Sequence, residues 1–145
     1  MDTSATFAIS AAGMALERAR VEAAALNLAN AHTTAVGGQP AYNPVHVVAQ
    51  PSSAASFAAL MEGEAAAAAL QPQFQVEATG AAPRLVHEPG HPLADKNGFV
   101  SYPGVDSATE MVTLMSATRA YEANVAAMNT ARTLALKSLE IGGNQ

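Results

Sequence analysis

The last third of the chain constrains the fold most, because residues 107–141 contain neither proline nor glycine. Ser107 and Glu110 have the spacing of a capping box, in which the serine hydroxyl accepts from the Glu110 amide and the Glu110 carboxylate returns to Ser107. Gly142 follows where the C-terminus of a helix favours a left-handed residue. The stretch therefore predicts one helix of about 50 Å, since an α-helix rises about 1.5 Å per residue.

The apolar residues of this C-terminal helix recur with a seven-residue period, which is typical of a coiled-coil seam. A second stripe on the same helix is mainly alanine and contains Asn124. Two interpretations of that amide stay open: a tolerated surface residue, or a hydrogen bond that sets the register between helices. Two usable faces predict more than one partner helix. The seam consists of Met111, Leu114, Tyr121, Val125, Met128, Ala135 and Leu139, and only Thr118 and Arg132 interrupt it.

The N-terminal stretch predicts a second long helix, from about Thr3 to Asn30. This helix also has two apolar stripes on nearly opposite sides, and polar residues fill the narrow strips between them. Gly13 lies inside it at a cost of about 1 kcal/mol relative to alanine, which is tolerable if another helix crosses closely there. The larger side chains of the two stripes are Phe7, Ile9, Met14, Leu16, Val21, Leu26 and Leu28.

The region between the helices predicts short strands joined by loops. Pro44 favours an edge position for the first strand, since proline cannot donate to a ladder. Asn97 and Gly98 form a strong tight-turn signal. The stretches with β-branched or alternating residues are 42–49, 74–77, 84–86 and 99–102.

These elements predict a mainly α fold with a small β-containing insert. The two long terminal helices are expected to pack antiparallel as a coiled-coil-like pair. The predicted boundaries are an N-terminal helix in residues 1–34, an irregular β insert in 35–105 and a C-terminal helix in 106–145. An alanine-rich variable loop at about residues 51–72 allows either helix or mobile loop.

The composition excludes several classes of function. Half of the residues are hydrophobic but only 5% are aromatic, so alanine dominates and the core is thin. The net charge is −5 and no Lys/Arg cluster occurs, which argues against a nucleic-acid surface. The absence of cysteine excludes disulfides and thiolate catalysis. No apolar run approaches 18 residues, so no membrane insertion is expected, and the N-terminus does not resemble a cleavable secretory signal.

One catalytic pattern matches on letters alone. The run from His87 to His91 fits H-E-x-x-H, in which two histidines one helical turn apart hold zinc. Pro89 and Gly90 interrupt the helix that this mechanism requires. A loose metal site that adds Asp95 is conceivable, but such spacings in a Pro/Gly loop are usually incidental. We therefore predict no catalytic residue, no metal and no cofactor.

Both terminal stretches contain recognisable motifs. The N-terminal helix has Ser-Ala-Ala-Gly-Met at residues 10–14 and Asn-Leu-Ala-Asn at 27–30, and the C-terminal helix has Arg-Ala-Tyr-Glu-Ala-Asn at 119–124. Together these motifs resemble those of the flagellar basal-body rod proteins. The stretch 83–100, with Pro-Arg-Leu-Val-His-Glu-Pro-Gly-His-Pro, resembles the C-type proximal-rod subunits in particular.

The resemblance implies a structural subunit of the proximal rod. Its helices would pack in the inner wall of a helical tube that crosses the periplasm, and torque would pass through helix–helix contacts. The implied partners are the B-type, F-type and G-type rod subunits, the E-type adaptor at the membrane ring, further copies of the chain and the flagellar type III export apparatus. The candidate assembly interface consists of Ile9, Met14, Leu16, Val21, Leu26, Asn27, Leu28, Asn30, Met111, Leu114, Tyr121, Asn124, Val125, Met128 and Leu139.

Two other classes of function compete with this interpretation. A self-contained helical adaptor or export chaperone would need helices with one apolar face, whereas both helices here have two. A small metallohydrolase would need zinc held by His87 and His91.

Overall fold

The protein is described here by a computed structural model that covers residues 3–34, 42–50 and 73–143 of its 145 residues. Within these residues, two long helices frame four short strands, so the chain is mainly helical with a small β-containing insert, as predicted. The elements are α1 (Thr3–Asn30), β1 (Val45–Gln50), β2 (Gln73–Ala78), β3 (Arg84–His87), β4 (Phe99–Tyr102) and α2 (Ser107–Gly143).

The described strands form two small sheets, in which β1 pairs with β2 and β3 pairs with β4. All four lie where the sequence predicts extended chain. The alanine-rich loop predicted at about 51–72 falls outside the described residues. Neither helix, over the part of the chain that the structure describes, is long and apolar enough to cross a membrane.

The chain divides into two compact units, and each contains part of both helices. Unit 1 includes α1 up to Ala19 and α2 from Ser116. Unit 2 includes α1 from Arg20 and the chain from Val76 to Met115.

In unit 1, the two helices approach each other closely at Gly13. A Cβ atom built on this glycine would lie 2.9 Å from Nδ2 of Asn124, nearer than such atoms normally approach. Ser10 and Ala117 are buried in the same unit. The expectation that another helix crosses at Gly13 is therefore confirmed, and the partner atoms belong to a half-buried asparagine.

In unit 2, α1 buries the small side chains of Ala23 and Ala24, and Ala31 is buried in the turn that follows the helix. Strands β3 and β4 form an antiparallel ladder in which Val86 lies opposite Val100. Val100 is almost completely buried. Among the described residues of this unit, the buried hydrophobic side chains are alanines and Val100, which is the thin core that the low aromatic content predicts.

The loop between β3 and β4 is longer than a two-residue hairpin, but the predicted Asn97–Gly98 turn forms within it. Gly98 has a φ of 78°, a left-handed conformation that glycine adopts without strain. The carboxylate of Asp95 organises the turn, since its Oδ1 accepts from the backbone amides of Asn97 and Phe99 at 2.8 Å each. The turn brings the chain back into the ladder.

The predicted capping box at the start of α2 is wrong, because Asp106 is the N-cap. The Glu110 amide donates to the Asp106 carbonyl, so Ser107 is already the first helical residue. The Asp106 carboxylate accepts from the Ala108 amide at 3.1 Å and from the Thr109 hydroxyl at 2.6 Å. These hydrogen bonds hold the pKa of Asp106 below its usual range, the Thr109 hydroxyl most strongly.

The predicted end of α2 is also slightly short. The helix continues through Gly143, so Gly142 lies inside its last turn rather than beyond it. The last turn of a helix frays readily, so weak local preferences decide where the helix ends.

Candidate assembly interface

The side of α1 that is most buried within the chain is small and polar. Ser10, Ala24 and Asn27 are all buried, while Ile9 and Leu26 are half exposed or more. Small side chains allow the backbone of a neighbouring element to approach closely, which explains why this strip faces inward. The sequence indicated polar strips between two apolar stripes but gave no reason to turn such a strip toward the chain's own interior.

The predicted interface residues of α1 therefore differ in exposure. Asn27 is buried, and Ile9 and Leu26 are exposed. The others are half-buried: Met14, Leu16, Val21, Leu28 and Asn30.

The predicted interface residues of α2 also differ in exposure. Ala117 is completely buried and represents the alanine stripe. Among the predicted interface residues, Leu114, Asn124, Val125 and Met128 are half-buried, while Met111, Tyr121 and Leu139 are exposed.

Large apolar side chains on α2 remain open to solvent over most of its length. Leu139 is 72% exposed and Ile141 is 77% exposed. Single exposed leucines are normal in a folded protein, but a series along one helix indicates a surface for another protein. The exposed large apolar residues of this helix are Met111, Val112, Met115, Tyr121, Leu134, Leu136, Leu139 and Ile141.

Within unit 2, the amide of Asn27 is the centre of a hydrogen-bond cluster that joins three segments of the chain. Its Nδ2 donates to the Val45 carbonyl at 2.8 Å and to Oε1 of Glu110 at 2.9 Å. Its Oδ1 accepts from the Tyr42 hydroxyl at 2.7 Å and from the Val45 amide at 2.9 Å. An asparagine amide can make two donor and two acceptor contacts, so this one is fully satisfied.

The electrostatics of this cluster favour the Tyr42 hydroxyl as the donor in its hydrogen bond with Asn27. Burial raises the pKa of the Tyr42 phenol, and the nearby Glu110 carboxylate raises it further. The hydroxyl therefore stays a donor to Asn27 across the neutral range. Asn30 lies one turn further along α1 and bonds only locally, with Nδ2 donating to the Leu26 carbonyl at 2.9 Å.

A second cluster in unit 2 surrounds Tyr102, at the end of β4. Its hydroxyl donates to Oε2 of Glu88 at 3.0 Å, and this bond is the main reason why the pKa of Tyr102 is raised. The Arg84 guanidinium lies 5.7 Å from the centre of the ring, and His32 approaches the ring edge-on at 6.3 Å between centroids. The contact from His32 attaches the turn that follows α1 to the β3–β4 ladder.

The histidines of the H-E-x-x-H pattern lie in unrelated local structures. His87 ends β3 and contacts the Phe99 ring, with 5.0 Å between centroids. His91 lies in the following loop, where its Nδ1 accepts from the Leu93 amide at 3.1 Å. Over the described residues, no group of three or more histidine, aspartate or glutamate side chains is placed to hold a metal ion.

A cleft of about 280 Å³ lies beside the Asn27 cluster in unit 2. Arg20, Ala23 and Ala24 of α1 form one side, and residues 45–47 of β1 form another. Thr109, Glu110 and Thr113 of α2 complete it. Its lining combines small apolar and polar groups.

Comparisons with known proteins identify the family. The chain is 41% identical over 137 residues to the flagellar basal-body rod protein FlgC of Salmonella typhimurium, which covers 94% of this chain and 95% of the relative. It is 35% identical over 141 residues to the same protein of Bacillus subtilis, covering 92% and 94%. The chain belongs to the FlgC family. Residues 96–141 also match the family model described as the flagellar basal body rod FlgEFG protein C-terminal region.

FlgC-family membership confirms the resemblance that the terminal motifs and the stretch 83–100 predicted. The features that the sequence missed are the Asp106 cap and the partners of Asn27. Glu110 follows Asn27 by 83 residues, so no local pattern could pair them. Asp106 and Ser107 are adjacent and both belong to residue types that cap helices, so the sequence alone does not decide which of them is the cap.

Proposed function

We propose that this chain is a structural subunit of the flagellar basal-body rod. In this proposal its helices pack against those of neighbouring subunits in a tubular assembly and transmit torque through those contacts. Membership of the FlgC family supports the rod assignment. The observation that carries the mechanism is the distribution of side chains: small and polar groups are buried within the chain, while large apolar groups stay exposed on both helices.

The exposed apolar surface gives the proposed contacts their free energy. Fully burying a leucine or isoleucine side chain stabilises an interface by about 1.5–3 kcal/mol. Leu139 and Ile141 are mostly exposed in the single chain, so most of that free energy remains available to a neighbour. Exposed apolar residues also occur in the strands, as Val76 and Leu85 show. Contacts of this kind need no reaction and no cofactor.

The proposed arrangement places residues 1–34 and 106–145 in the inner core of the rod and residues 35–105 on its outer side. The expected neighbours are the B-type, F-type and G-type rod subunits, the E-type adaptor at the membrane ring and further copies of the chain. The subunit would reach the periplasm through the flagellar type III export apparatus. We expect no nucleic-acid partner and no direct insertion into a membrane.

Complementation of a strain that lacks its own copy of this gene tests the proposal. The unmodified chain should restore swimming, whereas Leu114→Asp and Tyr121→Asp should abolish it without reducing the amount of chain in the cell. Complete burial of such a side chain is worth about 1.5–3 kcal/mol, of which the neighbour supplies only the part not already covered within the chain, and each substitution also places a charge in the contact. Leu114→Met keeps the apolar volume and serves as the control. Normal swimming with either aspartate variant would contradict the proposed packing.

A further inference from the structure

The sequence contains one asparagine that is followed by glycine, Asn97, at the end of the loop between β3 and β4. This pair is the most prone to spontaneous deamidation, because glycine has no side chain to hinder attack by its own backbone nitrogen. The other asparagines of the chain precede leucine, alanine, proline, valine, threonine or glutamine. Asn97 is exposed, so water reaches its side-chain amide. Deamidation is therefore expected at this position before any other.

The reaction at Asn97 needs no partner other than water. The Gly98 backbone nitrogen attacks Cγ of Asn97, a new N–Cγ bond forms, and the Cγ–Nδ2 bond breaks. Ammonia leaves with the proton that the Gly98 amide gives up. Water then opens the resulting succinimide ring at either carbonyl carbon. Attack at Cγ leaves an aspartate in an ordinary backbone, whereas attack at the backbone carbonyl leaves an isoaspartate, in which the main chain runs through Cβ and Cγ.

The structure withholds the nitrogen that must attack. The Gly98 amide donates to the Asp95 carbonyl at 3.0 Å, and the Gly98 carbonyl accepts from the Glu88 amide at 2.8 Å. The first bond favours the protonated form of the amide, since the proton lies between donor and acceptor. Both peptide groups beside Gly98 are held, so they must rotate out of their hydrogen bonds before the nitrogen reaches the Asn97 side chain.

The Asp95 carboxylate fixes the turn on both sides of Gly98. Its Oδ1 accepts from the amides of Asn97 and Phe99 at 2.8 Å each, and the Asp95 amide donates to the Phe99 carbonyl at 2.8 Å. Hydrogen bonds to charged groups are stronger than neutral ones, and the loss of one changes a local equilibrium by about tenfold or more. The opening of this turn therefore determines how often the Gly98 nitrogen is released.

The closed hairpin also leaves little space around Gly98. A Cβ atom built on this glycine would lie 3.1 Å from Nε2 of His87 and 3.1 Å from Cβ of Pro89. An isoaspartate at position 97 adds a carbon atom to the main chain at this crowded point. The closed turn therefore disfavours the lengthened product as well as the attack that forms it.

We propose that Asn97 is a deamidation site that the turn around Asp95 keeps latent. The closed hairpin protects the site, and a chain whose hairpin is open is modified there. The bonds that protect it lie within residues 88–99, so the inference requires no contact with either terminal helix. It goes beyond the proposed function and rests on it only in taking the assembled rod as the source of the folded chain.

The test compares the same chain in assembled and in unfolded form. Purified hook–basal bodies are incubated in mildly alkaline buffer, either intact or dissociated in guanidinium chloride, and are then digested with a protease that cleaves after glutamate. The peptide 89–110 has Asn97 as its single asparagine and contains no glutamine. Mass spectrometry measures the conversion, and chromatography against synthetic standards separates aspartate from isoaspartate. Asn97 in intact particles should react at least about tenfold more slowly than in dissociated ones.

Two internal controls accompany this comparison. A synthetic peptide of residues 89–110, incubated in both buffers, corrects for any direct effect of the denaturant on the chemistry. The peptide 123–140 from the same digests contains Asn124 and Asn129, neither of which precedes glycine. In dissociated particles these two asparagines should react much more slowly than Asn97.

Substitutions of Asp95 test the turn itself. Asp95→Ala removes the carboxylate and should raise the rate in intact particles at least about tenfold, with the rate in dissociated particles unchanged. Asp95→Asn keeps an oxygen acceptor without the charge, so its rate in intact particles should lie about three- to tenfold above the parent, with fragment ions assigning the reaction to Asn97. Glu77→Ala is the matched control, because it removes a carboxylate from an exposed position of β2 and should change neither rate.

Three results would overturn the inference. The first is an equal rate in intact and dissociated particles after correction with the peptide. The second is a rate in intact particles that Asp95→Ala leaves unchanged or, if that variant does not enter the particles, that Asp95→Asn leaves unchanged. The third is deamidation that occurs mainly at Asn124 or Asn129. Absence of the chain from the particles would contradict the rod assignment instead, and the same comparison on the free chain from those cells would then decide the inference.

Discussion

The exposed end of α2 offers a perturbation that separates assembly from folding. Leu139 is 72% exposed, so Leu139→Asp removes little contact within the chain. Full burial of a leucine is worth about 1.5–3 kcal/mol, and roughly 1–2 kcal/mol of that remains for a neighbouring subunit to gain. A carboxylate enclosed in the same contact adds a desolvation penalty of comparable or larger size. Together these effects weaken each contact by at least about tenfold.

The assay compares Leu139→Asp with Leu139→Met in a strain that lacks its own copy of the gene. The methionine variant keeps an apolar side chain of similar volume and should swim normally. The aspartate variant should match the parent in helix content by circular dichroism, yet fail to enter basal bodies and fail to swim. Swimming equal to the parent would refute the claim that this surface is buried on assembly. Loss of helix content in the purified aspartate variant would show that the residue acts within the chain instead.

The remaining predictions concern the chain itself. Gly13→Ala should be nearly neutral in urea unfolding, because its gain of about 1 kcal/mol in helix propensity is offset by displacement of the Asn124 amide. In the background of Asn124→Ala, the same substitution should raise the free energy of unfolding by about 1 kcal/mol, and equal effects in both backgrounds would contradict the close contact. Ser101 has a buried hydroxyl without a partner among the described residues, so Ser101→Ala should raise the free energy of unfolding by about 1 kcal/mol; a loss of stability would contradict this. Because the pKa of Asp106 is lowered in the folded chain, the ionised carboxylate stabilises the start of α2 above pH 3.8. This stabilisation is lost as the pH falls through the lowered pKa. Asp106→Asn should remove this acid-dependent loss of protection at the start of α2, as measured by hydrogen exchange across pH, and an unchanged pH profile would contradict the assignment of the cap.

Much of the fold could be predicted because its signals are local. The helix from Thr3 to Asn30 has the predicted bounds, since its periodicity and its terminal asparagines act within a few residues. The turn at Gly98 was predictable for the same reason, because only glycine combines freely with a positive φ. Family motifs on both helices then indicated the rod proteins, and the comparisons confirm that family.

The inward face of each helix could not be predicted from periodicity. A helix with two apolar stripes gives no sign of which face meets its own chain and which meets a neighbour. In this protein, Ser10 and Asn27 are buried while Ile9 and Leu26 are exposed, which reverses the usual expectation. The explanation is the close approach of backbones, as at Gly13, which requires small side chains.

The partners of Glu110 illustrate a second limit. The spacing of Glu110 from Ser107 fits a capping box, but Asp106 caps the helix instead. The Glu110 carboxylate therefore does not take part in the cap, and it accepts a hydrogen bond from Asn27, which is distant in sequence. The sequence offered Asn124 as one possible register-setting amide. The structure instead gives the fully bonded, buried position to Asn27, while Asn124 lies against Gly13.

The most direct test of the central claim is quantitative mass spectrometry of hook–basal bodies purified from the source cell. The account predicts that this chain is present in a fixed ratio to the other rod subunits and remains after washing with salt and detergent. Its absence from these particles, with the free chain in the cytoplasm of the same cells, would contradict the account.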